Sequence, residues 1–234
     1  MEGALRVVTV PALAAVPGLV HGFEQRTGPP GWESREESRA RVASALAGSG
    51  RLRLLRQVHG TAVCHAPWEG TPEADAAVAT TPGELLGIET ADCLPVLIVD
   101  PVRRAVAAAH AGWRGTRGGV AARAAEALLA GGSRPEDLRA ALGPSIGACC
   151  YEVGPEVEEA FGPSAASFFR PGPRGRAHLD VRGVNRAQLV AAGLRDDAIH
   201  DLADCTYDLE DRYHSYRREG KGAGRMISFV GFRG

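Results

Sequence analysis

Four apolar runs follow one another between residues 75 and 110: DAAVAT, LLGIETAD, LPVLIVD and RAVAAAH. Each has the length and the Val, Ile, Leu and Ala content of a buried strand. The last two are joined by a tight turn at Asp100-Pro101. Strands and helices are therefore mixed without the strict alternation of a doubly wound sheet, and the chain predicts an α+β fold with mixed sheets.

The flanking sequence fits that frame. Residues 5–10 and 18–24 read as short strands separated by a proline-bearing loop, 11–17. The segment 30–50 opens on Pro30 and Gly31 and then shows helical spacing of Val42, Ala45 and Leu46, with Gly48 as its stop. LRLLRQVH and TAVCHA predict two strands meeting at Gly60-Thr61. Residues 116–130 predict an Ala-rich helix capped by Thr116 and stopped by Gly131-Gly132. LRAALGPSIG reads as a strand, Pro155 opens a helix at EVEEAF, Asp180 caps another at VRGVNRAQLVAAG, and GRMISFVGF is a last strand. No repeat, low-complexity tract or linker interrupts this, so 1–234 reads as a single domain.

Charge and cysteine usage narrow the function classes. With 27 basic and 28 acidic residues the formal net charge is −1, which gives no electrostatic reason to expect nucleic acid or an anionic membrane as partner. The apolar stretches fall short of a membrane span, and no signal segment opens the chain. The five cysteines contain no C-x-x-C pair, so reduced thiols in a cytoplasmic protein are expected. Cys149 and Cys150 are adjacent and would point to opposite faces of a strand, one of them into the core.

Three predicted strand ends share one design: Val58-His59-Gly60, Thr90-Ala91-Asp92-Cys93 and Ala109-His110-Ala111-Gly112. A lone histidine at a strand end is more often a satisfied core residue. If the three ends gather at one edge, however, His59, Cys93 and His110 make the three-ligand set with an open position that describes a catalytic zinc site. Two other readings use the same residues. Cys93 and His110 form a nucleophile and base without metal, or the metal is structural and closed by Cys149 or Cys150 as fourth ligand. A multicopper centre is excluded by the seven histidines, none of which is two residues from another; a single copper at the same set would still oxidise phenols.

The surrounding residues supply further candidates. Asp75, Glu89 and Asp92 are the acids available for proton transfer. The amides of the turn at Gly112 and Gly115, with Arg114, Arg217 or Arg218, suit a phosphate. Tyr151 and Trp113 offer stacking surfaces for a base, and Gln57 is placed to orient a ligand histidine. Cys64 and His65 lie on a strand that sends only one of them toward His59, and both are left out of the site.

The strings RQVHG, ETADCLPVLIVD, AAAHAGWRGT, LGPSIGACCYEVG, CTY and YHSYRREGKGAGRM together resemble, in order, the motifs of the polyphenol oxidase or laccase-domain family, also called the YfiH family. The resemblance implies a mixed β sandwich flanked by helices, shared distantly with cytotoxic necrotising factor toxins. It implies a zinc-dependent enzyme that phosphorolyses adenosine, inosine and methylthioadenosine and deaminates adenosine, with purine nucleosides and phosphate as small-molecule partners. It carries the zinc-ligand role onto His59, Cys93 and His110. It gives a catalytic role to the arginine of the C-terminal motif, Arg218 in preference to Arg217; with it, Cys93 and, among the acids above, Asp92 are the expected catalytic residues. Arg114, Gly112, Gly115, Arg217 and Tyr151 are then the expected substrate contacts.

Overall fold

The consecutive apolar runs divide between two sheets instead of forming one. The computed structural model describes residues 4–28, 34–173 and 175–234. In chain order, short 3-10 turns aside, its elements are β1 (Val7–Val8), α1 (Pro11–Ala14), β2 (Leu19–Glu24), α2 (Arg35–Leu46), β3 (Arg51–Leu54), β4 (Val63–His65), β5 (Ala76–Ala79), β6 (Glu84–Thr90), β7 (Leu94–Asp100), β8 (Ala105–Ala111), α3 (Trp113–Arg117), α4 (Val120–Ala130), β9 (Arg139–Leu142), α5 (Pro155–Phe161), β10 (Phe169–Pro171), β11 (Ala177–Leu179), α6 (Val181–Ala191), β12 (Ile199–Asp201), α7 (Tyr216–Glu219) and β13 (Met226–Phe232).

One sheet has the order β1-β2-β13-β6-β3 and the other β12-β9-β7-β8-β5-β4, with β10-β11 as a separate ribbon. Both large sheets are mixed. The pairs β3/β6, β4/β5 and β9/β12 are parallel, and the remaining pairs of the two large sheets are antiparallel.

The two sheets pack face to face. Phe23, Leu86, Ile88, Val230 and Phe232 from the first meet Ala77, Leu97, Val99, Val106 and Ala108 from the second. Alternation sends the intervening residues outward, and helices cover them. Val96, Ile98, Ala107 and Ala109 pack with Val120, Ala121, Ala124, Leu128 and Leu189 of α4 and α6. Leu85, Ile227 and Phe229 pack with Val42 and Leu46 of α2. Burial on both faces explains why β7 and β8 read as unbroken apolar runs. The helix–sheet–sheet–helix order is the α+β sandwich expected from the sequence.

Four local expectations are corrected. The loop 11–17 contains α1, opened by Pro11. LRLLRQVH and TAVCHA do not pair, because β3 and β4 lie in different sheets. The Ala-rich helix is two helices broken at Gly118-Gly119, where Gly119 has φ +75°. Thr116 is therefore not a cap; its buried hydroxyl accepts from Asn185 Nδ2 at 2.9 Å. Cys149 is exposed and Cys150 half-buried, so neither is a core residue; the buried thiol is Cys205. Helix α2 does form where the Val42 spacing placed it, opened by a capping box in which Ser34 and Glu37 satisfy each other's amides. Its expected Pro30-Gly31 opening lies outside the described residues.

Candidate functional site

Two of the loops that carry the chain from the first sheet to the second deliver site residues. Between β3 and β4 the chain passes through His59, at φ +61°. Between β6 and β7 it crosses again in the same direction through Asp92, at φ +94°, and Cys93. Strand β8 runs antiparallel to β7 with His110 opposite Pro95, so its last turn of side chains stands at the same end as Cys93. Because Ala107 and Ala109 face the helices, His110 faces the first sheet. The donor atoms of His59, Cys93 and His110 come within 4.8 Å of one another, and the two imidazole rings meet edge to face with centroids 4.8 Å apart.

Asp75, fully buried, fixes this geometry. Its Oδ1 contacts His110 Nδ1 at 2.8 Å and accepts from the His59 amide at 2.9 Å. Its Oδ2 accepts from the amides of Val58, 3.1 Å, and Gly60, 2.7 Å. One carboxylate thus fixes the left-handed turn of His59 and leaves His110 presenting Nε2 to the site. Gln57, expected to orient a histidine, instead bonds both backbone groups of Glu89 at 2.8 Å, tying the His59 loop to β6.

Burial opposes ionisation of Cys93, but the charge of His110 and hydrogen bonds from His110 and His59 outweigh it and lower the thiol to about 6. Burial likewise opposes charge on His110, and the Cys93 thiolate and Asp75 overcome it, raising the imidazole to about 9. Without a metal the pair is thiolate and imidazolium. The set fits a thiophilic cation with one side open. A Cβ on Gly112 would stand 3.0 Å from both Cys93 Sγ and His59 Cδ2, so only glycine leaves those two donors their positions.

The donors open on a cavity of about 710 Å³ whose wall includes Trp113, Tyr151, Tyr216, Arg217, Arg225 and Glu89, a size suited to a small-molecule ligand. Arg217 stacks over Tyr151 at 5.5 Å and donates to the Glu152 carbonyl. Arg225 stands over Tyr216 and donates to the Ala223 and Gly224 carbonyls. Burial and the nearby Arg35 lower its basicity. Arg35 and Arg39 come from one face of α2, and Arg39 pairs with both Glu89 oxygens at 2.8 Å. Asp92 has both oxygens engaged, accepting from the Thr206 hydroxyl at 2.6 Å and the Arg217 amide at 2.7 Å.

The expected contacts divide accordingly. Cys93, Asp92, Arg217 and Tyr151 line the cavity. Arg114 and Gly115 are not among its lining residues: Arg114 is exposed and lies over Trp113 at 4.3 Å, and Gly115 packs beneath the Gly60 and His110 carbonyls. The turn expected to cradle phosphate is a single helical turn. Arg218 is also absent from the cavity wall. Its guanidinium donates to the carbonyls of Thr206, Tyr207 and Tyr213 and to Glu219, so it holds the C-terminal segment together. Cys149 and Cys150 belong to a different cluster and do not complete the His59–Cys93–His110 set. Arg35, Arg39, Arg225 and Tyr216 were not singled out in the sequence. Tyr216 and Arg225 lie inside the YHSYRREGKGAGRM string, which was the available signal.

A two-sheet α+β sandwich with two imidazoles and a thiolate converging at one end defines a protein with a candidate metal site at the wall of a ligand cavity. The chain belongs to the family described as multi-copper polyphenol oxidoreductase laccase, which matches residues 33–233. It is 42% identical over 196 residues to a purine nucleoside phosphorylase of Deinococcus radiodurans, covering 83% of this chain and 76% of that protein. It is 38% identical over 201 residues to purine nucleoside phosphorylase YfiH of Escherichia coli, covering 83% and 79%. A third relative, adenosine deaminase RL5 from an unknown prokaryotic organism, is 40% identical over 160 residues, 67% of this chain and 61% of that one. Among solved structures, YlmD of Geobacillus stearothermophilus is similar with a TM-score of 0.84 at 30% identity, covering 94% of this chain and 93% of that one. These relatives place the chain among enzymes. Among the described residues no helix is long and apolar enough to cross a membrane.

Proposed function

We propose that the chain, acting as one domain, is a zinc-dependent purine nucleoside phosphorylase that uses adenosine, inosine and methylthioadenosine and also deaminates adenosine. The observation that carries this reading is the His59–Cys93–His110 set at the wall of a cavity that combines aromatic faces with arginines. The names of its relatives agree with it. Zinc held there by one thiolate and two imidazoles would supply a Lewis acid with an open coordination position.

The chain's own residues account for the rest. In phosphorolysis the C1′–N9 bond breaks and a C1′–O bond to phosphate forms, so the site must hold an anion beside a departing planar base. Among the described residues Arg217 and Arg225 hydrogen-bond to backbone carbonyls and to no carboxylate, which leaves their charge for phosphate. Trp113, Tyr151 and Tyr216 provide faces for the purine. In deamination water enters at C6 and ammonia leaves. Both oxygens of Asp92 and of Glu89 are already engaged. Asp92 therefore serves as a positioning residue that fixes the Arg217 backbone, and the catalytic role expected of Arg218 passes to Arg217.

The test is product analysis of the zinc-loaded protein with adenosine, with and without phosphate. Adenine and ribose 1-phosphate are expected only with phosphate, and inosine in both. Absence of all three refutes the reading. A second reading, a Cys93–His110 hydrolase without metal, is favoured by the Asp75–His110–Cys93 alignment. Activity that survives chelation and is lost on alkylation of Cys93 would select it. The multicopper centre in the family's description needs paired His-x-His motifs, and none of this chain's seven histidines is two residues from another; phenol oxidation gained on loading a single copper would mark that side activity.

A further inference from the structure

A second group of metal-donor side chains stands apart from this site. The sulfurs of Cys149, Cys150 and Cys205 and the carboxylate of Asp208 all lie within 4.8 Å of one another. Cys149 and Cys150 each donate to a different Asp208 oxygen, at 3.2 and 3.0 Å, and their sulfurs are 3.4 Å apart. All three thiols are free.

The backbone is arranged around these sulfurs. The amides of Cys150 and Tyr151 both donate to the Gly147 carbonyl, so the two adjacent thiols project from one tight turn. Ser145 and Cys205 form an isolated parallel bridge that brings the second segment alongside. The Gly147 amide donates to Cys205 Sγ at 3.3 Å, the kind of outer hydrogen bond that supports a metal thiolate. A Cβ on Gly147 would stand 3.0 Å from Cys149 Sγ and 3.5 Å from Cys205 Sγ. Gly147 is not in a left-handed conformation, so the glycine serves the space among the sulfurs and not a left-handed backbone.

The dimensions suit a cation. Four donors held tetrahedrally at about 2.3 Å lie about 3.7 Å from one another. Three of the separations, 3.0, 3.2 and 3.4 Å, lie just below that value, and all four donors are within 4.8 Å of one another. Packing does not explain the group, because Cys149 and Asp208 are exposed. Three thiols with one carboxylate is a donor set for a soft or borderline ion, and four protein ligands close it.

We propose that Cys149, Cys150, Cys205 and Asp208 form a second, closed metal site that takes a thiophilic divalent ion of the zinc class. On binding, three S–H bonds break, three S–metal bonds form, the protons leave to solvent, and Asp208 contributes one oxygen. The site ties the turn that leads into Tyr151 to the segment carrying Thr206, which holds Asp92. Its role is structural support of the cavity wall.

The test counts metal in the full-length chain after loading with Zn2+ and desalting. Two equivalents are expected. Cys149→Ser with Asp208→Asn, both at exposed positions, lowers the count to one, and His59→Ala lowers it to one independently. With Co2+, the sulfur-to-cobalt charge-transfer absorption is mostly retained in His59→Ala and mostly lost in Cys149→Ser, Asp208→Asn. A single equivalent in the parent chain that the Cys149→Ser, Asp208→Asn variant retains in full overturns the proposal. So does recovery of a Cys149–Cys150 disulfide from protein loaded under reducing conditions, with the second equivalent absent.

Discussion

Replacing Asp75 by asparagine separates the carboxylate's two tasks. The wild-type group takes four contacts, two at each oxygen: His110 Nδ1 and the His59 amide at Oδ1, and the Val58 and Gly60 amides at Oδ2. The amide of Asp75→Asn keeps one acceptor and turns the other into a donor. If its NH2 faces Val58 and Gly60, two backbone donors lose their partner at about 1–3 kcal/mol each. For a chain of this size that lowers Tm by about 5 °C or more. If the NH2 faces His110 instead, Nδ1 must become the acceptor. The proton then moves to Nε2, the nitrogen that would bind metal.

Either orientation costs something measurable, and the loss of an oriented carboxylate behind a ligand histidine typically weakens metal binding about 10- to 100-fold. Zinc affinity by competition with a chromophoric chelator and Tm by circular dichroism together report both outcomes. Wild-type affinity combined with wild-type Tm in Asp75→Asn would refute the role given to this residue.

Two further outcomes follow from the site. In metal-stripped protein, Cys93 carries its thiolate down to about pH 6, because His110 and His59 offset its burial. Its alkylation rate, read by peptide mass mapping, should therefore fall off near that pH, not near that of an ordinary thiol. His110→Ala should move the midpoint upward, where burial acts against less opposition; an unmoved midpoint would break the pairing. Arg217→Met should raise KM for phosphate with little change in Tm, whereas Arg218→Met, which removes four hydrogen bonds, should lower Tm without a selective effect on phosphate KM. The reverse pattern would restore Arg218 to the site.

The parts of this molecule that were legible in the sequence are those set by local pattern. The apolar runs of β7 and β8, the Pro155 and Asp180 helix starts and the His59, Cys93 and His110 strings all depend on residues near one another. The division of β6 and β7 between sheets was not legible, since a strand buried on both faces carries no alternation to show which sheet it joins. The break of the Ala-rich helix turned on Gly119 adopting φ +75°, one of several outcomes open to a Gly-Gly pair. Asp75 could be listed as an acid, but its role required knowing that Val58, His59, Gly60 and His110 surround it. Arg218 and Arg217 are neighbours in sequence, and only the turn of α7 decides which one reaches the cavity.

The two sheet crossings that carry His59 and Asp92 share a device that bears on whether metal builds the site or enters one already built. His59 and Asp92 are both non-glycine residues at positive φ, each costing on the order of 1–3 kcal/mol. Each is held by a buried carboxylate: Asp75 accepts three amides around His59, and Asp92 accepts Thr206 and the Arg217 amide. Hydrogen bonds to a charged group contribute about 1.5–3 kcal/mol each, so the protein contacts alone offset the strain. A site arranged this way does not need its metal to fold, unlike a zinc finger. In the Cys149→Ser, Asp208→Asn background, where only one metal site counts, chelation should leave the far-ultraviolet dichroism unchanged. Zinc at about 100 times Kd should then add only its mass-action term, about 2.7 kcal/mol, or a rise in Tm of about 5–11 °C. Loss of the folded spectrum on chelation would mean that the carboxylates do not hold the crossings by themselves.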